Sequence, residues 1–196
     1  MNNPLDIGVA FREGWAAFAR EAVALIVGFL LFGLVAGLSF GICAGPMTVG
    51  YQSMCIRAAR GESVQIGDVF SGFSKFGPSF ILMLLYGLAV GLGTLLCVIP
   101  GLAVAWFCVW ATFLMADGDE DAMSCLKRSW EYSKQNMGGV IVMVIVASVV
   151  GSVGSAVGGV GGLVTMPLQM MMLAVAYNRA FGSGSGVFAE QPLPAV

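Results

Sequence analysis

From Phe76 to Ala116 the chain carries no Asp, Glu, Lys or Arg, and the run is broken near its middle by Val98-Ile99-Pro100-Gly101. One helix crossing a bilayer needs about 20 apolar residues. A run about twice that length with a Pro-Gly break predicts two helices, because proline lacks the amide hydrogen a helix interior uses and glycine supplies the backbone freedom of a turn. The stretch reads as a transmembrane helical hairpin. Two further charge-free runs flank it, Ala22 to Ile56 and Gln135 to Asn178, each with a proline late in its course, Pro46 and Pro167. The expected fold is all-α: a polytopic membrane protein of six transmembrane helices arranged as three hairpins.

Composition points the same way, since 58% apolar and 10% charged residues leave too few polar side chains to cover a soluble domain. The nine Lys and Arg (Arg12, Arg20, Arg57, Arg60, Lys75, Lys127, Arg128, Lys134 and Arg179) all fall outside or at one end of the three runs. If each run is a hairpin, these cations share one face, and the positive-inside rule makes that face cytoplasmic, with both termini. The acidic residues sort to the same side. Tight turns at Gly45-Pro46, Pro100-Gly101 and Gly158 to Pro167 are expected on the other. Asp6, Glu13 and Glu21 precede the first apolar run, so no cleavable signal peptide is expected.

Before each run lies an amphipathic segment. In the first, about 4–20, Leu5, Gly8, Phe11, Trp15 and Phe18 recur at spacings of three and four opposite Arg12, Glu13 and Arg20. The second, about 62–76, places Ile66, Val69, Phe70, Phe73 and Phe76 on one stripe, and the third, about 119–136, does so with Met123, Leu126 and Trp130. Aromatic-rich segments next to spanning helices are expected to lie in the membrane interface on the cytoplasmic side. The hairpins then occupy about 22–60, 78–116 and 138–181 within a single membrane domain, 1–182, and 183–196 reads as a flexible tail.

The glycines suggest how the helices pack. Gly33, Gly37, Gly41 and Gly45 recur every four residues, Gly87 and Gly91 repeat the pattern, and so do Gly154, Gly158 and Gly162. Such ridges are expected to let a second backbone approach closely. An internal repeat accompanies them. Pro46 to Gly61 matches Pro167 to Gly182 in length, Arg12-Glu13-Gly14-Trp15 matches Lys127-Arg128-Ser129-Trp130, and Phe73 and Pro100 stand in the corresponding places of the middle copy. The unit is an interfacial aromatic helix, a glycine-ridged helix, a proline turn and a returning helix, repeated in parallel because each copy starts and ends on the same side.

Residues that carry chemistry are few. The chain has no histidine, which removes the commonest general base and metal ligand, and no nucleophile-elbow, zincin, Walker or dinucleotide pattern occurs. Asp117, Asp119, Glu120 and Asp121 lack calcium-loop spacing and read as the solvated start of a helix. Five cysteines, Cys43, Cys55, Cys97, Cys108 and Cys125, are scattered without C-x-x-C spacing. They read as packing residues, with Cys43 and Cys97 both toward the turn side. No metal or cofactor is expected. Inside the apolar runs the candidate polar residues are Thr48, Gln52, Tyr86, Thr94, Thr112, Ser148, Ser152, Ser155, Gln169 and Tyr177, which interhelical hydrogen bonding accounts for.

On Gly45-Pro46 to Arg60-Gly61, Ile66-Gly67-Asp68-Val69-Phe70, Pro100-Gly101 and Ala122 to Asn136 with Leu126-Lys127-Arg128-Ser129-Trp130, the chain resembles a family of bacterial multi-pass membrane proteins. That family is related to the membrane domain fused to some glycerophosphodiester phosphodiesterases. The resemblance covers nearly the whole chain and implies a six-helix protein of the bacterial inner membrane. It implies no activity, and the phosphodiesterase catalytic domain has no counterpart here. The expected role is a non-enzymatic scaffold or accessory subunit that contacts membrane lipids, a protein partner or a second copy of itself, and not nucleic acid. Its contact residues are expected to be Trp15, Arg57, Arg60, Phe73, Lys127, Arg128 and Trp130. The alternative is a small-solute transporter or channel.

Overall fold

The computed structural model describes residues 7–96, 98–118, 121–156 and 161–181. Among these residues the chain forms α1 (Ile7–Leu38), α2 (Ala44–Ala59), a 3-10 helix (Ile66–Lys75), α3 (Phe76–Leu96), α4 (Val98–Phe107), α5 (Val109–Asp117), α6 (Ala122–Gln135), α7 (Met137–Ala156) and α8 (Gly162–Phe181), with no strand. The expected tail, Gly158, Cys97, Asp119 and Glu120 lie outside the described residues.

The first interfacial segment and the first apolar run are joined into α1, which breaks helical geometry at Glu21 (φ −115°, ψ 24°). The kink falls where amphipathic sequence gives way to apolar sequence. Beside it, the Arg20 guanidinium donates to the Ala58 carbonyl at 2.7 Å, supplying a cation to the C-terminal end of α2. Lys75 does the same for α5 through the Met115 carbonyl, at 3.3 Å.

Pro46 and Pro100 begin helices instead of occupying turns. The first turn of the chain is formed by Phe40 (φ 51°) and Gly41 (φ 84°), so Gly41 serves a left-handed backbone position. Gly45 and Pro46, expected in a tight turn, lie in the first turn of α2, which starts at Ala44. Pro100 and Gly101 likewise lie near the start of α4, where a missing amide hydrogen costs nothing. Pro167 sits further inside α8. The second interfacial segment is a 3-10 helix, opened by a capping box between Gln65 and Asp68.

Three stretches are long and apolar enough to cross a membrane: Ile7–Leu38, Ile66–Leu95 and Met137–Gly154. They form the outer wall, with Leu34, Leu38, Leu84, Leu88, Val149 and Val153 exposed. The helices that follow them, α2, α5 and α8, touch one another at the centre. Their Met47, Met54, Trp110, Phe113, Met171 and Tyr177 are almost wholly buried, and Trp110, Phe113 and Tyr177 are in ring contact. An apolar exterior around an apolar core suits a hydrocarbon solvent, where helices satisfy their own backbone.

The glycine ridges need correction. A Cβ built at Gly33, Gly37, Gly41, Gly87 or Gly91 meets nothing within 4 Å, so these faces point into open space and bring no helix of this chain close. Gly154 alone of the described ridge positions on the outgoing helices is tightly packed, against Thr165 and Gly161 of the α8 side. Gly45, the last member of the first ridge, lies on α2, where a Cβ would fall 2.7 Å from the Ser79 carbonyl oxygen of α3; the other close approaches occur at glycines outside the ridges. A Cβ at Gly101 would overlap Thr94, one at Gly151 would overlap Gln169, and one at Gly50 would overlap the Val69 carbonyl.

The interfacial segments follow a cyclic pattern. The N-terminal half of α1 packs on α8, the 3-10 helix packs on α2, and α6 packs on α4 and α5. Each segment therefore lies on one of the central helices, α8, α2 or α5, and the first closes the circle on the last.

Candidate functional site

The charged end of the bundle is assembled from the C-termini of α2, α5 and α8. Arg60 pairs bidentately with Asp117, at 2.6 and 2.8 Å, and its Nε donates to Asn178 Oδ1 at 3.1 Å. Asp117 also accepts from the Tyr177 hydroxyl at 3.1 Å, and the Asn178 amide donates back to the Ile56 carbonyl at 3.2 Å. Hydrogen bonding to Asp117 raises the already high pKa of Arg60. The guanidinium stays charged and locks three helix ends together.

Two further ion pairs join this frame to the interfacial segments. Arg179 grips Glu13 through two contacts, at 2.6 and 3.1 Å, tying the end of α8 to the start of α1. Arg57 bridges Glu62 and Asp68, both at 3.0 Å, and the Glu62 hydrogen bond raises its pKa. Arg57 and Arg60, expected as outward contacts, are thus engaged within the chain.

The remaining expected contact residues are distributed around the rim. Trp15 is 52% exposed and Trp130 44%. Phe73 is half-buried in a row with Phe70 and Phe76, ring centroids 6.1 and 6.2 Å apart. Lys127 and Arg128 are exposed on α6, and Arg128 faces a small recess with Asp117 and Tyr177. The structure does not gather these residues into one spot; it spaces them along three segments.

What sequence reasoning missed is the residue directly before each aromatic. Gly14, Gly72 and Ser129 precede Trp15, Phe73 and Trp130, and all three are buried. A Cβ at Gly14 would sit 3.3 Å from Met172, one at Gly72 would overlap the Pro46 carbonyl, and Ser129 donates to the Phe107 carbonyl at 2.8 Å. A small residue seats each segment on its neighbour; the ring that follows is exposed at Trp15 and Trp130 and half-buried against the core at Phe73. The signal was present in the repeat alignment as a shared small-aromatic pair.

Between α3, α4 and α6 a lateral groove of about 370 Å³ opens, walled by Leu85, Ala89, Val104, Cys108 and Leu126. Lys127, Trp130 and Glu131 stand at its α6 edge. Trp130 is fixed there by the Phe107 ring at 4.7 Å. Of the polar candidates in the apolar runs, Thr94 bonds to Val90 at 2.7 Å, Thr112 to Val109 at 3.4 Å and Ser152 to Val149 at 3.0 Å, each on its own helix, while Tyr177 reaches Asp117 of α5. Gln52 Oε1 is buried without a partner among the described residues. No group of three or more cysteines and carboxylates suited to a metal ion occurs among the described residues.

These features define an all-helical protein with three helices suited to a membrane and a charged, aromatic-rimmed end. The chain belongs to the family that shares the Domain of unknown function (DUF7847), matched over residues 24–191. It is similar to the uncharacterised protein Rv2560 of Mycobacterium tuberculosis (strain ATCC 25618 / H37Rv), 27% identical over 89% of this chain and 50% of the relative. The uncharacterised protein Mb2590 of Mycobacterium bovis matches at the same identity and coverage. The chain spans about half the length of these curated relatives. No solved structure matches it.

Proposed function

We propose that this protein is a six-helix bundle of the bacterial inner membrane, built from three parallel repeats with the charged end and both termini in the cytoplasm. It acts as a non-enzymatic scaffold or accessory subunit whose interfacial segments contact lipid headgroups or a partner protein. The observation that carries the reading is the division of labour at the charged end. Arg57, Arg60 and Arg179 are held by internal partners, while Phe11, Trp15, Phe70, Phe76 and Trp130 are left exposed on the interfacial segments. The cyclic packing of those segments supports the repeat, and the resemblance to the membrane domain fused to some glycerophosphodiester phosphodiesterases fits a supporting role beside another activity. The filled centre between α2, α5 and α8 favours this over a transporter or channel.

The test is purification in mild detergent followed by identification of what accompanies the protein. A stoichiometric protein or a retained phospholipid is expected. Reconstituted protein should also give no substrate-dependent proton flux with a trapped pH-sensitive dye, because the apolar runs contain no ionisable carboxylate or histidine to carry a proton. Reproducible flux absent from empty liposomes would overturn the scaffold reading.

A further inference from the structure

The groove between α3, α4 and α6 combines features that together describe one kind of occupant. Its floor is apolar, and its volume of about 370 Å³ lies within the usual range of about 300–1,000 Å³ for small-ligand sites. On α3 its lining runs from Leu85 to Ala89, about 6 Å along the helix at 1.5 Å per residue. A segment of an acyl chain next to its headgroup matches this size and polarity.

The edge of the groove carries both signs of charge. Lys127 and Glu131 are one turn apart on α6, both exposed and both lining the opening. Among the described residues neither forms an ion pair, with the other or with any third group. The neighbouring cation Arg128 faces the separate recess with Asp117 and Tyr177. Trp130 stands between the two charges in sequence, ring against Phe107, where an indole at a membrane interface is favoured. A purely anionic headgroup would satisfy Lys127 and be repelled by Glu131. A headgroup with a phosphate and a primary ammonium satisfies both.

We propose that this groove is a binding site for a glycerophospholipid with a phosphoethanolamine headgroup. One acyl chain lies along Leu85, Ala89 and Val104, the phosphate accepts from Lys127, and the ammonium donates to Glu131. Headgroups without a primary ammonium lose the charge-assisted hydrogen bond to the carboxylate. The inference rests on the membrane reading above and names a lipid for it.

The experiment is native mass spectrometry of the full chain in mild detergent, titrated with three phospholipids of identical acyl chains bearing phosphoethanolamine, phosphocholine or phosphoglycerol headgroups. The phosphoethanolamine lipid is expected to be retained about tenfold better than the phosphocholine lipid, the discrimination set by one charge-assisted hydrogen bond. Glu131→Lys is expected to transfer the preference to the phosphoglycerol lipid, and Lys127→Gln to weaken all three. Ala89→Phe is expected to weaken all three by filling the groove; if that variant misfolds, the two exposed charge variants carry the test. Equal retention of the three lipids by the unaltered protein, or a preference that Glu131→Lys leaves unchanged, overturns the proposal. Flotation with vesicles of the same lipids separates the two readings. Protein that floats without discriminating removes only the lipid site, and protein that fails to float removes the membrane reading as well.

Discussion

Gly72 lies against Pro46 so closely that a Cβ at that position would overlap the Pro46 carbonyl and fall 2.7 Å from the Gly50 amide nitrogen. The 3-10 helix and α2 cross at these glycines backbone to backbone, with no flexible side chain to yield. Gly72→Ala is therefore expected to destabilise the bundle by about 1–3 kcal/mol or more, the usual cost of overpacking. Thermal unfolding in detergent, followed by size exclusion, measures it. An unchanged midpoint would show that the two backbones separate more readily than the contact implies.

Gly37 provides the contrasting case. Because a Cβ there meets nothing within 4 Å, Gly37→Leu is expected to leave the monomer's thermal midpoint within the range of ordinary surface changes, about ±0.5 kcal/mol. A large loss in the same assay would mean that the exposed ridge is covered in the assembled protein, and cross-linking would then identify a second copy as the cover.

The three apolar runs and the amphipathic segments before them were legible because they depend on local composition and period, whereas the kink at Glu21 emerged only from the structure. The direction of each glycine face was not. A spacing of four places Gly33, Gly37 and Gly41 on one side of α1, but in a bilayer both the lipid side and the protein side of a helix are apolar, so periodicity does not mark the inside. The partners of Arg60 were equally hidden. Asp117 and Asn178 come from different helices, α5 and α8, and nothing in the local sequence at Arg60-Gly61 distinguishes a cation held between helix ends from one facing headgroups. Gly14, Gly72 and Ser129 carried a readable signal only in combination, since each small residue alone is unremarkable.

The Arg60–Asp117 pair should behave as a coupled unit. Its side chains are 26% and 24% exposed. Breaking it is expected to cost more than the ~1 kcal/mol upper value of a surface pair and less than the ~3–5 kcal/mol lost from a buried one. In a double-mutant cycle, Arg60→Gln and Asp117→Asn together are expected to cost clearly less than the sum of the two. The pH dependence has a defined sign for the arginine. Its folded-state pKa is raised by Asp117, so its contribution is complete below the ordinary arginine value and is lost only as pH rises through the raised one. Arg60→Gln should thus lower stability equally at pH 7 and pH 9. Additive single effects would show that the two side chains act independently.

Closure of the ring by Glu13 and Arg179 leads to a charge-exchange prediction. Arg179→Lys should destabilise although it keeps the charge, because an ammonium cannot reproduce the two-point grip of the guanidinium. Glu13→Arg should destabilise further by facing two cations, and adding Arg179→Glu should recover part of the loss. Thermal unfolding of the three variants checks this. Failure of the exchange to recover stability would assign the contact between α1 and α8 to Gly14 and Met172 alone.

The orientation of the charged end is open to direct chemical labelling, but the native cysteines are poor reporters, since Cys55 and Cys125 are both fully buried and would resist reagent from either side. Introduced cysteines at exposed positions avoid this. Phe40 is 97% exposed in the turn between α1 and α2, and Lys134 is exposed near the end of α6. With Cys43 and Cys97 replaced by alanine, Phe40→Cys should react with a membrane-impermeant maleimide on intact spheroplasts. Lys134→Cys should react only after permeabilisation, because the cations of the interfacial segments hold that end in the cytoplasm. The reverse pattern would invert the protein in the membrane. Reaction of both in intact spheroplasts would place the two sites on the same side and dismantle the hairpin arrangement itself.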